Sequence, residues 1–132
     1  MIVFDSNVWI FAVDDLRPEH AEAKRRLAQA VAADDLLLPA VVQMEVAHYL
    51  SRYGVNAQPL LDQFFDQPGL RQAMDEGALR EAAPLVLAER PAIGTRDALL
   101  LIHCKQTGAR LVTQDKALAK VARRHKIDVE PF

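Results

Sequence analysis

The sequence predicts an α/β fold in which a mainly parallel sheet is wrapped by helices on both sides. Three observations carry that prediction. Ile2-Val3-Phe4, Leu36-Leu37-Leu38 and Leu111-Val112-Thr113 are short apolar runs without alternation, as in strands covered on both faces. Longer stretches with helical spacing lie between them, and strands alternating with helices imply right-handed crossovers and parallel pairing. The 132 residues, 51% hydrophobic and 26% charged, suit one globular domain over 1–132 with a sizeable core.

In chain order, Ile2 to Phe4 forms the first strand, and Asp5, Ser6 and Asn7 are all residue types that cap a helix. Val8 to Val13 stays apolar until Asp14-Asp15. Pro18 suits the first turn of a helix running to about Ala33, with Ala21, Leu27, Ala28 and Val31 inward. Leu36 to Leu38, ended by Pro39, is the second strand. A helix from about Ala40 to Tyr53 is stopped by Gly54, and residues 57–66 make a short amphipathic helix. Leu70 to Met74 is read as a short strand after the Pro68-Gly69 break. Asp75 or Glu76 opens a helix to about Arg90. Thr95 caps a helix from Arg96 to Thr107, which Gly108 stops. After the strand 111–113, Asp115 starts a helix to about His125, and Ile127 to Val129 reads as a last strand.

Charge and cysteine content narrow the class. A formal charge of −2 gives no global basic footprint, so nucleic-acid binding must come from a local patch. A single cysteine, Cys104, rules out an internal disulfide framework and suits a reducing cytoplasm. No apolar run approaches the roughly 20 residues of a membrane span. Nor does a basic region precede the first apolar residues, as a signal peptide requires.

Four carboxylates draw attention. Asp5 and Asp115 follow strands, and the crevice outside the carboxyl ends of strands is where open α/β sheets bind ligands. Glu45 stands in the otherwise apolar helical half Val41-Val42-Gln43-Met44-Glu45-Val46-Ala47, and Asp97 lies in the first turn of the helix that continues Ala98-Leu99-Leu100. Taken singly, Asp97 and Asp115 are explained by the helix dipole. Taken together, the four could meet in one crevice, where they would repel and raise one another's pKa without a cation. Hard oxygen donors with no His or Cys among them suit Mg²⁺ or Mn²⁺, and such an ion supports phosphodiester hydrolysis.

These stretches carry a resemblance. Val3-Phe4-Asp5-Ser6-Asn7, the helical Glu45, Asp97-Ala98-Leu99-Leu100 and Leu111-Val112-Thr113-Gln114-Asp115-Lys116 are similar, in order and spacing, to the motif set of PIN-domain ribonucleases. Among these the VapC-type toxins of toxin–antitoxin pairs are most similar. The resemblance covers essentially the whole chain. It implies a three-layer α/β/α sandwich with four to five strands, and a Mg²⁺- or Mn²⁺-dependent endoribonuclease using Asp5, Glu45, Asp97 and Asp115. Asp5 and Asp97 would ligate the metal, Asp115 would complete the site directly or through water, and Glu45 would orient the attacking water. Asn7 and Thr113 match supporting positions. A homodimer and a cognate antitoxin partner are also implied. Two departures concern packing: Lys116-Ala117-Leu118 stands where the family often has an aromatic, and the residues after Asp97 are bulkier than is common.

Competing motifs are incomplete. Glu45-Val46-Ala47-His48 matches Glu-x-x-His, but a di-iron bundle needs a second copy. His103-Cys104 lacks a partner pair at zinc spacing. An aspartyl-nucleophile phosphatase would want Asp where Asn7 stands. His48 and His103 read as core or surface histidines, and Cys104 as a buried small hydrophobe.

Two surfaces have alternative readings. Lys116, Lys120, Arg123 and Arg124 share a helix face, either simply solvated or a track for an RNA backbone, with Lys116, Lys120 and Arg123 as candidate contacts. Leu60, Leu61, Phe64 and Phe65 either pack within the domain or, as the resemblance implies, form with the preceding helix a groove for an antitoxin helix, with Leu61, Phe64 and Phe65 lining it. A non-catalytic PIN-like module that binds protein or RNA is the alternative to a nuclease.

Overall fold

The computed structural model describes residues 1–132, the side chain of Val55 excepted. Its elements are β1 (Ile2–Phe4), α1 (Ser6–Val13), α2 (His20–Ala32), β2 (Leu37–Pro39), α3 (Ala40–Leu50), a 3₁₀ turn (Ser51–Asn56), α4 (Ala57–Phe65), β3 (Leu70–Gln72), α5 (Glu76–Glu89), α6 (Thr95–Thr107), β4 (Arg110–Thr113), α7 (Lys116–Arg124) and β5 (Val129–Pro131).

Every strand pairing is parallel. β1 pairs with β4 in the register Val3↔Leu111, and β4 with β5 in the register Leu111↔Val129. β2 pairs with β3, and a bridge between Ile2 and Leu36 joins the two groups into the order β3-β2-β1-β4-β5. The Ile2 amide donates to the Asp35 carbonyl at 2.8 Å across that junction. The three apolar runs occupy the middle of this sheet, and Val3, Phe4, Leu37, Leu38, Leu111 and Val112 are all buried. The edges differ: Leu70 on β3 is exposed, and β5 is only partly covered. Among the described residues no helix is long and apolar enough to cross a membrane.

The order has a consequence for function. From β1 the chain moves one way, through β2 to β3, then returns across the sheet to β4 and β5 on the other side of β1. The direction of winding therefore reverses between β1 and β4, the place where open α/β sheets form a crevice beyond their carboxyl ends.

Several boundaries differ from the sequence reading, each for a local reason. The α2 helix begins at His20, after Pro18, with no side-chain cap at Glu19. The α3 helix ends at Leu50 because the Ser51 hydroxyl donates to the His48 carbonyl at 2.6 Å and the chain tightens into the 3₁₀ turn. Gly54, with φ of +62°, allows the bend into α4. Gly94, not Thr95, is the N-cap of α6, and Thr95 is its first helical residue. The last strand starts two residues later than expected. Ile127 turns inward after α7, its amide donating to the Ala122 carbonyl at 3.0 Å, and pairing begins at Val129.

Candidate active site

Asp5 follows β1 directly and is the N-cap of α1, so it both ends the strand and starts the helix. Its carboxylate is held at both oxygens. Oδ1 accepts from the Ser6 amide at 2.7 Å, and Oδ2 accepts from the Thr113 hydroxyl at 2.7 Å. Its own amide donates to the Val112 carbonyl at 2.9 Å, extending the β1–β4 ladder to the strand ends. Asp5 is 7% exposed and Thr113 2%, so this is a buried polar junction. The Thr113 hydroxyl also accepts from the Asp115 amide at 3.0 Å, and the Asp115 carboxylate caps α7 by accepting from the Leu118 amide at 3.0 Å. One hydroxyl thus ties the two strand-end acids together.

Glu45 is brought in by α3. Its Oε2 accepts from the Ser6 hydroxyl at 2.6 Å, and its Oε1 lies 4.0 Å from the Arg96 guanidinium. Asp97 arrives on the first turn of α6, half-buried beside them.

The electrostatics show that the four acids share one neighbourhood. Burial pushes the Asp97 carboxyl up to about 6, and the charges of Asp5, Asp115 and Glu45 add to that, with Arg96 pulling the other way. Asp5 is also raised, first by burial and further by Glu45 and Asp115; the hydrogen bonds from Thr113 and Ser6 limit the rise. A crevice that makes carboxyl groups hold protons this firmly is one in which a cation would relieve the repulsion. The donor set fits a hard divalent ion, since every candidate ligand is a carboxylate oxygen and the Asn7 Oδ1 is buried without a hydrogen-bond partner. Among the described residues, however, no three His, Cys, Asp or Glu side chains stand together at metal-coordinating spacing. The acids feel one another's charge without closing into a ligand cage.

Two residues at this site escaped the sequence reading. Ser6 was legible only as a capping type, yet its amide and hydroxyl join Asp5 to Glu45. Arg96 left one signal, a cation in a helix first turn, where the dipole favours acids.

The other candidates separate. Lys116, Lys120 and Arg123 lie exposed along α7, whereas Arg124, which shares their face in sequence, is ion-paired to Glu89. Phe64 turns inward, edge-on to Trp9 at 5.2 Å between ring centroids, and belongs to the core. Leu61 is half-buried against that core and Phe65 is exposed. His103 and Cys104 are both buried, while His48 is exposed.

With this geometry in place, comparison with known proteins is informative. No curated protein matches the chain in sequence. Among solved structures, VapBC2 from Rickettsia felis bound to a promoter DNA fragment superposes with a TM-score of 0.77 at 17% identity, covering 100% of this chain and 99% of that one. VapBC from Salmonella typhimurium bound to DNA gives 0.75 at 14% identity, with 99% and 98% covered. FitAcB from Neisseria gonorrhoeae gives 0.68 at 19% identity, with 98% and 96% covered. At such identities these likenesses speak to the fold alone. The family model described as the PIN domain matches residues 2–124, which take in all four acids and the elements that position them, and the chain therefore belongs to the PIN-domain family.

Proposed function

We propose that this protein is a divalent-cation-dependent endoribonuclease of the VapC type, a single PIN domain acting in the cytoplasm as the toxin of a toxin–antitoxin pair. The observation that carries the proposal is the gathering of Asp5, Glu45, Asp97 and Asp115 at the reversal between β1 and β4, where burial and then the neighbouring acids' charges raise Asp5 and Asp97. In this reading Asp5 and Asp97 hold Mg²⁺ or Mn²⁺, and Asp115 completes the site directly or through water. Bound there, the ion supplies an acidified water and neutralises charge on the phosphodiester.

The chain's own residues do the rest. Thr113 and Ser6 fix both oxygens of Asp5, so the carboxylate needs no reorganisation to meet a cation. Ser6 also holds one oxygen of Glu45, leaving the other to orient the attacking water. Asn7, its Oδ1 buried and unpartnered, takes a supporting position two residues after Asp5. Lys116, Lys120 and Arg123 offer cations for the RNA backbone beside the site. The similar structures from Rickettsia felis and Salmonella typhimurium are VapBC complexes, which supports a cognate antitoxin as partner. A homodimer is part of the same proposal.

A second reading, a PIN fold kept as a binding module without turnover, draws on the absence of a closed ligand cage among the described residues. One experiment separates the two. A mixed single-stranded RNA pool is incubated with purified protein in Mg²⁺, in Mn²⁺ and in chelator, beside a folded Asp5→Asn variant. Cleavage that needs the cation and is lost in the variant is the expected result. Absence of cleavage, with no rise of melting temperature in Mn²⁺, would remove the nuclease reading, because a bound cation stabilises by mass action.

A further inference from the structure

Arg96 has no role in its own helix and is only loosely held by its neighbour. It is the second residue of α6, where a cation faces the positive end of the helix dipole. Its side chain is 62% exposed, and its ion pair with Glu45 spans 4.0 Å. Structural arginine pairs elsewhere are closer: Arg25 meets Glu22 at 2.8 Å and Arg110 meets Asp128 at 2.9 Å. Yet Arg96 stands at the one place where a polyanion would meet four carboxylates, and its charge reaches Asp97. A local choice that costs the helix something and gains it no tight partner is the pattern expected of a residue kept for function.

We propose that Arg96 anchors a backbone phosphate of a single-stranded nucleic-acid substrate at the mouth of the acidic site. The guanidinium leaves Glu45 and turns its fork onto the non-bridging oxygens, a geometry that lysine cannot reproduce. Glu45 stays in place when this happens, because Ser6 still donates to its other oxygen. Arg96 is therefore a specificity element for phosphate at a site whose carboxylates repel it. This inference rests on the nuclease reading above.

The test is binding, not turnover. In an Asp5→Asn background, which removes cleavage, anisotropy of a short fluorescein-labelled single-stranded RNA is followed across a series of KCl concentrations. Adding Arg96→Ala should weaken binding about tenfold or more, the size of one charge-assisted hydrogen bond. It should also lower the magnitude of the slope of log K against log salt by roughly 0.7, the value of one phosphate contact on a single strand. Arg96→Lys should keep the slope and lose part of the affinity. If Arg96→Ala changes neither affinity nor slope while Asp5→Asn alone binds, Arg96 is only a neighbour of Glu45 and the proposal is overturned. If Asp5→Asn does not bind and the parent protein does not cleave, the nuclease reading itself has failed and this inference falls with it.

Discussion

Replacing Thr113 by valine would remove one hydroxyl and strand two partners. The Asp5 carboxylate would lose a donor in a buried setting, and the Asp115 amide an acceptor in a partly buried one. Leaving buried polar groups unmatched costs about 1–3 kcal/mol, so Thr113→Val should lower stability to urea by that amount. It should also raise Asp5 further, since the Thr113 hydrogen bond is the largest influence holding it down. Unchanged urea stability would show that water replaces the hydroxyl. Replacing Asp97 should instead raise stability. Its folded value of about 6 lies above the ordinary 3.8, so the folded chain holds this proton more tightly than the unfolded chain. Its effect on stability is therefore absent below the ordinary value, grows as pH rises through the window between the two, and remains as a cost above it. In chelator at about pH 7, Asp97→Asn should be more stable than the parent by about 1–2 kcal/mol, the full shift being discounted for solvent screening. The difference should vanish near about pH 4. A difference independent of pH would mean that the gain comes from packing and not from charge.

At the scale of elements, α4 shows why adjacent aromatics must be told apart. The spacing of Leu60, Leu61, Phe64 and Phe65 makes an apolar face legible, but not which ring faces the core. Phe64 packs edge-on to Trp9 and is 5% exposed, while Phe65 is 46% exposed. Phe64→Ala should cost about 3–5 kcal/mol through the cavity it leaves. Phe65→Ala should stay within about 0.5 kcal/mol, as surface changes do. Thermal unfolding of the two variants checks both. If an antitoxin helix docks on this face, Phe65→Ala is the variant that should weaken it without harming the fold. A similar ambiguity held at α6. Thr95 is a good capping type, yet Gly94 takes the cap and Thr95 the first helical turn. Capping preference reads residue type, whereas the cap itself is set by where the backbone leaves helical φ/ψ.

Across the whole molecule, the winding of the sheet does what no single element can. The acids are spread from position 5 to position 115, and they come within reach of one another's charge because β1 and β4 are neighbours while α3 and α6 carry Glu45 and Asp97 toward the same strand ends. The sequence by itself determined the element types and the parallel α/β class, since burial on both faces imposes continuous apolar runs and helices announce themselves by period; the four acids it singled out are the residues the proposed function relies on. It also determined that any metal held by those acids would be a hard one, because donor chemistry is written in residue type. Only the tertiary structure decided that Ser6 joins Asp5 to Glu45, that Arg96 lies beside Glu45, that Phe64 and not Phe65 faces the core, and that Arg124 is spent on Glu89. The physical reason is range: periodicity and propensity act over a few residues, whereas the Ser6, Arg96 and Arg124 contacts span 35 to 51 positions and the choice between Phe64 and Phe65 turns on a single side-chain direction; the Ser6–Asp5 bond alone is local.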